Sequence, residues 1–199
     1  MKLVLASQSA SRRAMLDAAG VPHEAVASGL DEESVKAGFA DLDMKARDVA
    51  DALAGMKAVR AASRIDGDAL VLGCDSLAVL DDGTRLDKPE SRDQARAHLE
   101  MLSGRRHDLI SAAVIAEGGR PVWRQVSRAK MFMRPLSPAF IDEYLDAEWP
   151  AISGCVGCYR LEARGVQLFA RIDGDYFTIL GMPLLAILDY LRIRGIMTA

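Results

Sequence analysis

A run of small and apolar residues, Ala-Leu-Val-Leu-Gly at 69–73, stands near the middle of the chain. A strand without polar alternation is buried on both faces, as in sheets that helices cover on both sides. The run therefore predicts a central strand of an α/β fold. Asp75 follows it at the carboxyl end, where open α/β sheets bind their ligands. A structural aspartate that caps a neighbouring loop would fit the same pattern.

Patterns typical of strands and helices alternate along the chain, without repeats, low-complexity segments or a linker. Val49, Leu53 and Met56 recur at helical spacing, which predicts a helix over 43–64. The order of elements indicates a mixed sheet rather than a pure series of βαβ units. We expect strands at 2–6, 23–28, 69–73, 77–80, 107–117, 122–134, 155–160, 166–172 and 176–180, and further helices at 10–19, 91–102, from 137 and at 183–194.

The charge balance and hydropathy exclude several classes of partner. The 199 residues are 50% apolar and 27% charged, which is ordinary for a soluble globular protein. A net charge of −3 argues against a general nucleic-acid-binding protein. The chain has no apolar run near the ~20 residues of a membrane span, and its first apolar segment is too short for a signal peptide. We expect a cytoplasmic protein that binds neither nucleic acid nor membranes.

Three cysteines, Cys74, Cys155 and Cys158, form no disulfide framework. Cys155 and Cys158 make a C-x-x-C motif, which is compatible with half a zinc site or a redox pair. A second such motif or a histidine pair is missing from the sequence. Small apolar side chains that line a strand are therefore the favoured interpretation.

The N-terminal segment has the features of an anion site. Ser7, Ser9 and Ser11 alternate after the first apolar run, and Arg12 and Arg13 follow them in a predicted helix. The first-turn N–H groups of a helix and the guanidinium fork of arginine both suit phosphate oxygens. The serines could instead cap the helix and the arginines lie in solvent. The segment lacks the Walker A and dinucleotide-binding motifs.

Three further charged positions are candidates for the same chemistry. Asp31-Glu32-Glu33 could bind Mg²⁺ or orient water, or could be a solvated loop. Lys57 lies on an otherwise apolar helix face, so its ammonium must reach solvent or meet an anion. Lys88 precedes Pro89, and a lysine held in this way is a plausible phosphate contact.

Together these segments resemble the Maf family of nucleoside triphosphate pyrophosphatases. Each segment alone is unspecific, but their order and spacing match the family over nearly the whole chain. The matching segments are 5–13, 31–32, 57–58, 73–75, 88–89, 102–107, 157–159 and 174–184.

The resemblance implies a single domain over 1–199 with an elongated, curved mixed sheet flanked by helices, similar to inosine triphosphatases. It implies two lobes with the active-site cleft between them, and a homodimer. The implied reaction converts a nucleoside triphosphate to the monophosphate and pyrophosphate, with Mg²⁺, Mn²⁺ or Co²⁺. The implied roles are catalysis by Asp75 as general base with Glu32 and Lys88, metal binding by Glu32 and Asp75, and substrate binding by Ser7, Ser9, Arg12, Arg13, Lys57 and Glu162.

The resemblance leaves the substrate base open. Cys155 and Glu162 are similar to the branch acting on 7-methyl-GTP, whereas Tyr159 is similar to the branch acting on dTTP and UTP. Of the two arginines, Arg12 fills the S-x-x-R position and is the expected phosphate contact, with Arg13 in support. A catalytically weak nucleotide-binding regulator of cell division and septum formation is the alternative, and retention of Asp75, Glu32 and Lys88 argues against it.

Overall fold

The computed structural model describes residues 1–40, 42 and 44–198. Within this part of the chain, no helix is both long and apolar enough to span a membrane. The strands are β1 (Lys2–Leu5), β2 (His23–Ala25), β3 (Ala69–Leu80), β4 (Arg85–Leu86), β5 (Arg106–Glu117), β6 (Arg120–Met133) and β7 (Phe169–Asp173). The helices are α1 (Ala10–Ala18), α2 (Glu32–Ala40), α3 (Ala46–Ala62), α4 (Arg92–Leu102), α5 (Pro138–Glu148), α6 (Tyr176–Leu180) and α7 (Leu184–Ile193), with a 3₁₀ turn at Arg164–Leu168.

The strands form a mixed sheet in the order β2-β1-β3-β5-β6-β7, and β4 pairs with β3. β1 runs parallel to both β2 and β3, with Val4 opposite Glu24 and Val71. β7 is antiparallel to β6, and β4 to β3. The prediction of an α/β protein with a mixed sheet is therefore confirmed. The elongated, curved shape and the cleft stay predictions.

The chain divides into two compact units. Unit 1 consists of residues 1–76, 111–127 and 181–199. It contains α1, α2, α3 and α7, and fully buried leucines on β1, β3 and their flanking helices form much of its interior. These leucines are Leu3, Leu5, Leu16, Leu53, Leu70 and Leu72.

Unit 2 consists of residues 77–110 and 128–180. Its core joins the amphipathic faces of α4 and α5 to apolar side chains of β6 and β7. Ser91 and Ser137 cap these two helices by accepting hydrogen bonds from Gln94 N and Phe140 N. The core includes Leu99, Leu102, Met131, Ile141, Leu145 and Phe169.

A glycine on β3 sets how closely α3 packs against the sheet. A Cβ atom on Gly73 would collide with the carbonyl oxygen of Ala54 and lie 2.6 Å from the nitrogen of Ala58. Only a residue without a side chain permits this approach of two backbones. The approach brings Lys57 of α3 to Asp75 of β3, whose side chains form an ion pair.

The predicted apolar strands of the C-terminal third are partly wrong. Residues 155–160 form turns, 176–180 form α6, and only the second half of 166–172 is extended. Short apolar runs do not distinguish a strand from a helix. Asp175 supplies the deciding local signal, because its carboxylate caps α6 by accepting hydrogen bonds from Phe177 N and Thr178 N.

Of the two interpretations of 31–33, the solvated loop is wrong, because Glu32 and Glu33 form the first turn of α2, a helix that the sequence did not predict. Asp31 accepts hydrogen bonds from the backbone nitrogen and the hydroxyl of Ser34, and these bonds lower the pKa of Asp31. The remaining helices occur where predicted, within a few residues. The two strands predicted at 69–73 and 77–80 are one continuous strand, so Asp75 lies within β3 and not beyond the end of a strand as predicted. Residue 43, the predicted start of α3, lies outside the described residues.

Candidate active site

The turn between β1 and α1 is held by its own serines. Ser9 is the N-cap of α1 and accepts a hydrogen bond from Arg12 N at 3.4 Å. The hydroxyl of Ser7 accepts from Ser9 N at 3.2 Å, and Ser7 is 9% exposed. The helix cap that the sequence allowed is therefore present, and it is formed by Ser9. The N-terminus of α1 lies beside the hydroxyls of Ser7 and Ser9.

Two carboxylates of unit 1 converge on one ammonium. Lys57 Nζ lies 2.7 Å from Asp75 Oδ1 and 2.9 Å from Glu32 Oε1. Lys57 and Asp75 are each 5% exposed, so Lys57 meets anions rather than solvent. We call Glu32, Lys57 and Asp75 the carboxylate–lysine cluster. Its summed formal charge is negative, which favours a further cation.

One oxygen of this cluster is an unused acceptor. Asp75 Oδ2 is buried and has no hydrogen-bond partner among the described residues. A buried carboxylate oxygen without a partner is costly, and native structures contain few of them. Such an atom is available to a group that arrives with the substrate.

Arg12 is bonded to three separate segments of unit 1. Its Nε donates to Gly181 O at 2.9 Å. Its Nη1 donates to Cys74 O at 3.0 Å and to Ser7 Oγ at 3.3 Å, and its Nη2 donates to Ser76 Oγ at 3.1 Å. We call these five residues the Arg12 network. Arg13 differs in being exposed.

The predicted residues of unit 2 lie near one cysteine. Lys88 and Glu162 are both exposed and both act electrostatically on Cys155. Burial raises the pKa of the Cys155 thiol to about 11; Glu162 adds to the rise, whereas Arg160 and Lys88 oppose it. The structure thus places Lys88 and Glu162 around the same thiol.

The C-x-x-C motif contains free and protonated thiols. Cys74, Cys155 and Cys158 are unpaired, and burial raises the pKa of Cys158 to about 12. Cys158 Sγ lies 3.5 Å from Nδ1 of His98. Within the described part of the chain, no three His, Cys, Asp or Glu side chains converge as a metal site. The favoured interpretation, small side chains that line a strand, holds for Cys74 on β3 but is wrong for Cys155 and Cys158, which lie outside the strands, with Cys155 only partly buried.

Comparison with known proteins decides the family. Residues 2–193 match the family described as Maf-like protein. The chain belongs to the Maf-like protein family. It is 50% identical over 196 residues to a protein of Sphingopyxis alaskensis, covering 98% of each chain. It is also 50% identical to a protein of Caulobacter vibrioides, covering 98% of this chain and 97% of that one. Both relatives are named "Nucleoside triphosphate pyrophosphatase".

Solved structures show weaker similarity to this Maf-like protein. A HAM1 protein from Coxiella burnetii gives a TM-score of 0.41 at 14% identity, covering 67% of this chain and 73% of that one. A nucleoside-triphosphatase (dITP/XTP pyrophosphatase) from Mycobacterium abscessus gives a TM-score of 0.36 at 17% identity, with the same coverage.

The carboxylate–lysine cluster of this Maf-like protein fits a divalent cation that is shared with a substrate. Asp75 contributes the unpartnered oxygen, and Glu32 a second carboxylate on the same ammonium. Mg²⁺ is commonly held by one or two carboxylates together with substrate phosphates and water, rather than by a complete protein cage. The two carboxylates predicted as metal ligands are therefore brought together.

The sequence interpretation missed Ser76 and Ser111. Their hydroxyl oxygens lie 2.9 Å apart, and Ser76 also donates to Gly181 O at 3.3 Å. Ser111 is 1% exposed and Ser76 is partly buried, and their contact lies beside the Arg12 network. A serine next to Asp75 was visible in the sequence, whereas Ser111 had no local signal because its partner is 35 positions away.

Proposed function

We propose that this chain is a nucleoside triphosphate pyrophosphatase, with residues 1–199 acting as one catalytic domain. It hydrolyses the anhydride between the α and β phosphates and yields a monophosphate and pyrophosphate. The observation that carries the proposal is the buried carboxylate of Asp75, bonded to Lys57 through one oxygen and unpartnered at the other among the described residues. The names of the whole-length relatives support the same reaction.

Asp75 acts as the general base in this proposal. It accepts a proton from water while the water oxygen bonds to phosphorus. The bridging bond between the α and β phosphates breaks, and its electron pair leaves with one of the products. A positioned base contributes about 10²–10⁴-fold to the rate. Lys57 holds the carboxylate in place through its 2.7 Å hydrogen bond.

Glu32 and Asp75 would hold the divalent cation, for which Mg²⁺, Mn²⁺ and Co²⁺ are the candidates. Bound there, the cation supplies positive charge to the phosphate oxygens. Lys57 limits the repulsion between the two carboxylates.

A triphosphate carries nearly four negative charges, so a chain of net charge −3 must gather cations locally. We assign phosphate contacts to Ser7, Ser9 and the exposed Arg13, at the N-terminus of α1. On the family resemblance, we also assign phosphate contacts to Lys57 and Lys88. Lys88 is exposed, which leaves its ammonium accessible to an anion.

We propose a non-standard or modified nucleotide as substrate, of either a 7-methyl-GTP-like type or a dTTP- or UTP-like type. Glu162 is the proposed contact to the nucleotide in unit 2 and acts electrostatically on Cys155. A homodimer is the proposed assembly. Sedimentation at micromolar concentration would separate a dimer from a monomer.

A substrate screen tests the proposal. The purified chain would be incubated with Mg²⁺, Mn²⁺ or Co²⁺ and with dTTP, UTP, 7-methyl-GTP, ITP and the standard triphosphates. We expect monophosphate and pyrophosphate in equal amounts. Release of orthophosphate alone would contradict the proposed reaction. Nucleotide binding without hydrolysis would favour the regulator of cell division.

A further inference from the structure

We propose that Arg12 is a positioning residue, which holds the Ser7 turn and the end of β3 in register, and that it does not bind phosphate. This inference rests on the proposed function and revises its expected S-x-x-R contact. Arg13, the next residue, then makes the phosphate contact.

The first argument is the use of the Arg12 donors. A guanidinium has five N–H groups. Four hydrogen bonds from Arg12 go to protein oxygens, at 2.9, 3.0, 3.1 and 3.3 Å. The fork that would bind a phosphate in a bidentate manner is therefore already occupied. A phosphate could bind it in this way only by breaking bonds within unit 1.

The second argument is what the four bonds connect. Cys74 O directly precedes Asp75, and Ser76 directly follows it, so Arg12 binds on both sides of the proposed base. Ser7 lies in the turn that begins the phosphate segment. Arg12 thus fixes the distance between the base and the phosphate segment. Errors of about 1 Å in such a distance lower rates by about 10²-fold.

The third argument is the fit of Gly181 to the guanidinium. Gly181 has φ +115°, a conformation that favours glycine. A Cβ atom there would lie 3.2 Å from Arg12 Nε and 3.5 Å from Ser76 Oγ. The backbone at 181 is thus shaped around the Arg12 side chain. Ser76 is the last residue of the stretch 1–76 of unit 1, and Gly181 is the first residue of its stretch 181–199.

Arg13 provides the contrast within the same helix. It is exposed, and no hydrogen bond or ion pair of its side chain is found among the described residues. Its charge stands on the first turn of α1, where anions are favoured. The two adjacent arginines therefore differ: Arg12 donates its hydrogen bonds within the protein, whereas the side chain of Arg13 is accessible to a ligand.

Lysine substitutions separate the two functions. Lysine keeps the charge but replaces a planar fork by a point charge, so it substitutes for a phosphate contact better than for the Arg12 network. We expect Arg12→Lys to lower kcat by about 10²-fold with KM within about threefold. We expect Arg13→Ala to raise KM by about tenfold at nearly unchanged kcat, and Arg13→Lys to recover most of that loss.

Amide hydrogen exchange of the ligand-free chain gives a readout that is independent of activity. Arg12→Lys should accelerate exchange in residues 6–9, 74–76 and 181–184 together, because one side chain connects all three segments. Arg13→Lys should leave these segments at wild-type rates. Ser76→Ala removes one bond of the Arg12 network without changing charge and should lower kcat in the same direction as Arg12→Lys.

Two results would overturn the inference. One is an Arg12→Lys variant with wild-type kcat and wild-type exchange in the three segments. The other is an Arg12→Ala variant whose defect lies in KM and is restored by lysine. If the wild-type chain releases pyrophosphate from no triphosphate, the proposed function fails. The exchange comparison would still decide whether Arg12 holds the three segments.

Discussion

The ammonium of Lys57 and the carboxylate of Asp75 form a hydrogen-bonded ion pair at 2.7 Å, and both residues are 5% exposed. Two charges removed from water in this way depend on each other, because either one alone would be buried without compensation. Loss of either partner therefore destabilises unit 1, and the same pair holds the proposed base in place. These two contributions respond differently to substitution.

Lys57→Met tests the structural contribution. It leaves Asp75 without its hydrogen-bond donor and next to Glu32, which should lower the free energy of unfolding by about 3–5 kcal/mol. Urea unfolding followed by circular dichroism measures the change. Lys45→Met, at an exposed lysine before α3, is the matched control and should stay within about 0.5 kcal/mol. Adding Asp75→Asn to Lys57→Met should restore part of the lost unfolding free energy. A Lys57→Met variant as stable as wild type would contradict the argument that Lys57 and Asp75 depend on each other.

Asp75→Asn tests the chemical contribution. The amide oxygen can still accept from Lys57, but the side chain can no longer take a proton from water. We expect turnover to fall by about 10²–10⁴-fold, with nucleotide affinity within about threefold. Pyrophosphate release and calorimetric binding measure the two quantities. Asp66→Asn, at an exposed aspartate before β3, is the control, and an Asp75→Asn variant with most of its turnover would exclude Asp75 as the base.

Most elements of unit 1 could be predicted from the sequence because their signals are local. The apolar run at 69–73 and the helical spacing of Val49, Leu53 and Met56 act within a few residues. Asp31 shows the limit of such signals. A carboxylate followed three positions later by Ser34 is equally an N-cap or a solvated loop until the helix is seen.

The bonding of Arg12 could not be predicted in the same way. The S-x-x-R spacing places it at the start of α1, but its partners Cys74, Ser76 and Gly181 are 62, 64 and 169 positions away. The packing of segments that are distant in sequence determines which oxygens accept hydrogen bonds from the guanidinium. The sequence therefore named candidate residues for the site and left open what each side chain contacts.

Gly73→Ala tests the close approach of α3 to β3. The added methyl group would overlap the Ala54 carbonyl and lie 2.6 Å from Ala58 N, and neither backbone atom can rotate away. We expect a loss of at least about 3 kcal/mol in the free energy of unfolding. Gly55→Ala on α3 is the matched control, because its nearest neighbour, Val114, would be 3.9 Å away. That variant should be stabilised by up to about 1 kcal/mol, since alanine favours helix.

His107 is a buried neutral base in unit 2. It is 0% exposed, and its Nε2 lies 2.7 Å from the hydroxyl of Tyr159. Burial lowers the pKa of His107 to about 4 from its ordinary value near 6.5. Between pH 6.5 and pH 4, the histidine of the unfolded chain binds a proton, whereas His107 of the folded chain stays neutral. Stability from this group is thus complete above pH 6.5 and is lost as pH falls towards 4.

The pH dependence of unfolding tests this histidine. A shift of that size corresponds to about 3 kcal/mol, so acidification from pH 7 to pH 4 should remove roughly that much through His107. His107→Phe keeps a ring in the cavity but has no proton to bind. The difference in unfolding free energy between wild type and His107→Phe should therefore shift by about 3 kcal/mol in favour of the variant over that range. Carboxylates and His98, whose pKa is also lowered by burial, act in both proteins and cancel in the difference. A difference that does not vary with pH would show that His107 titrates normally when folded.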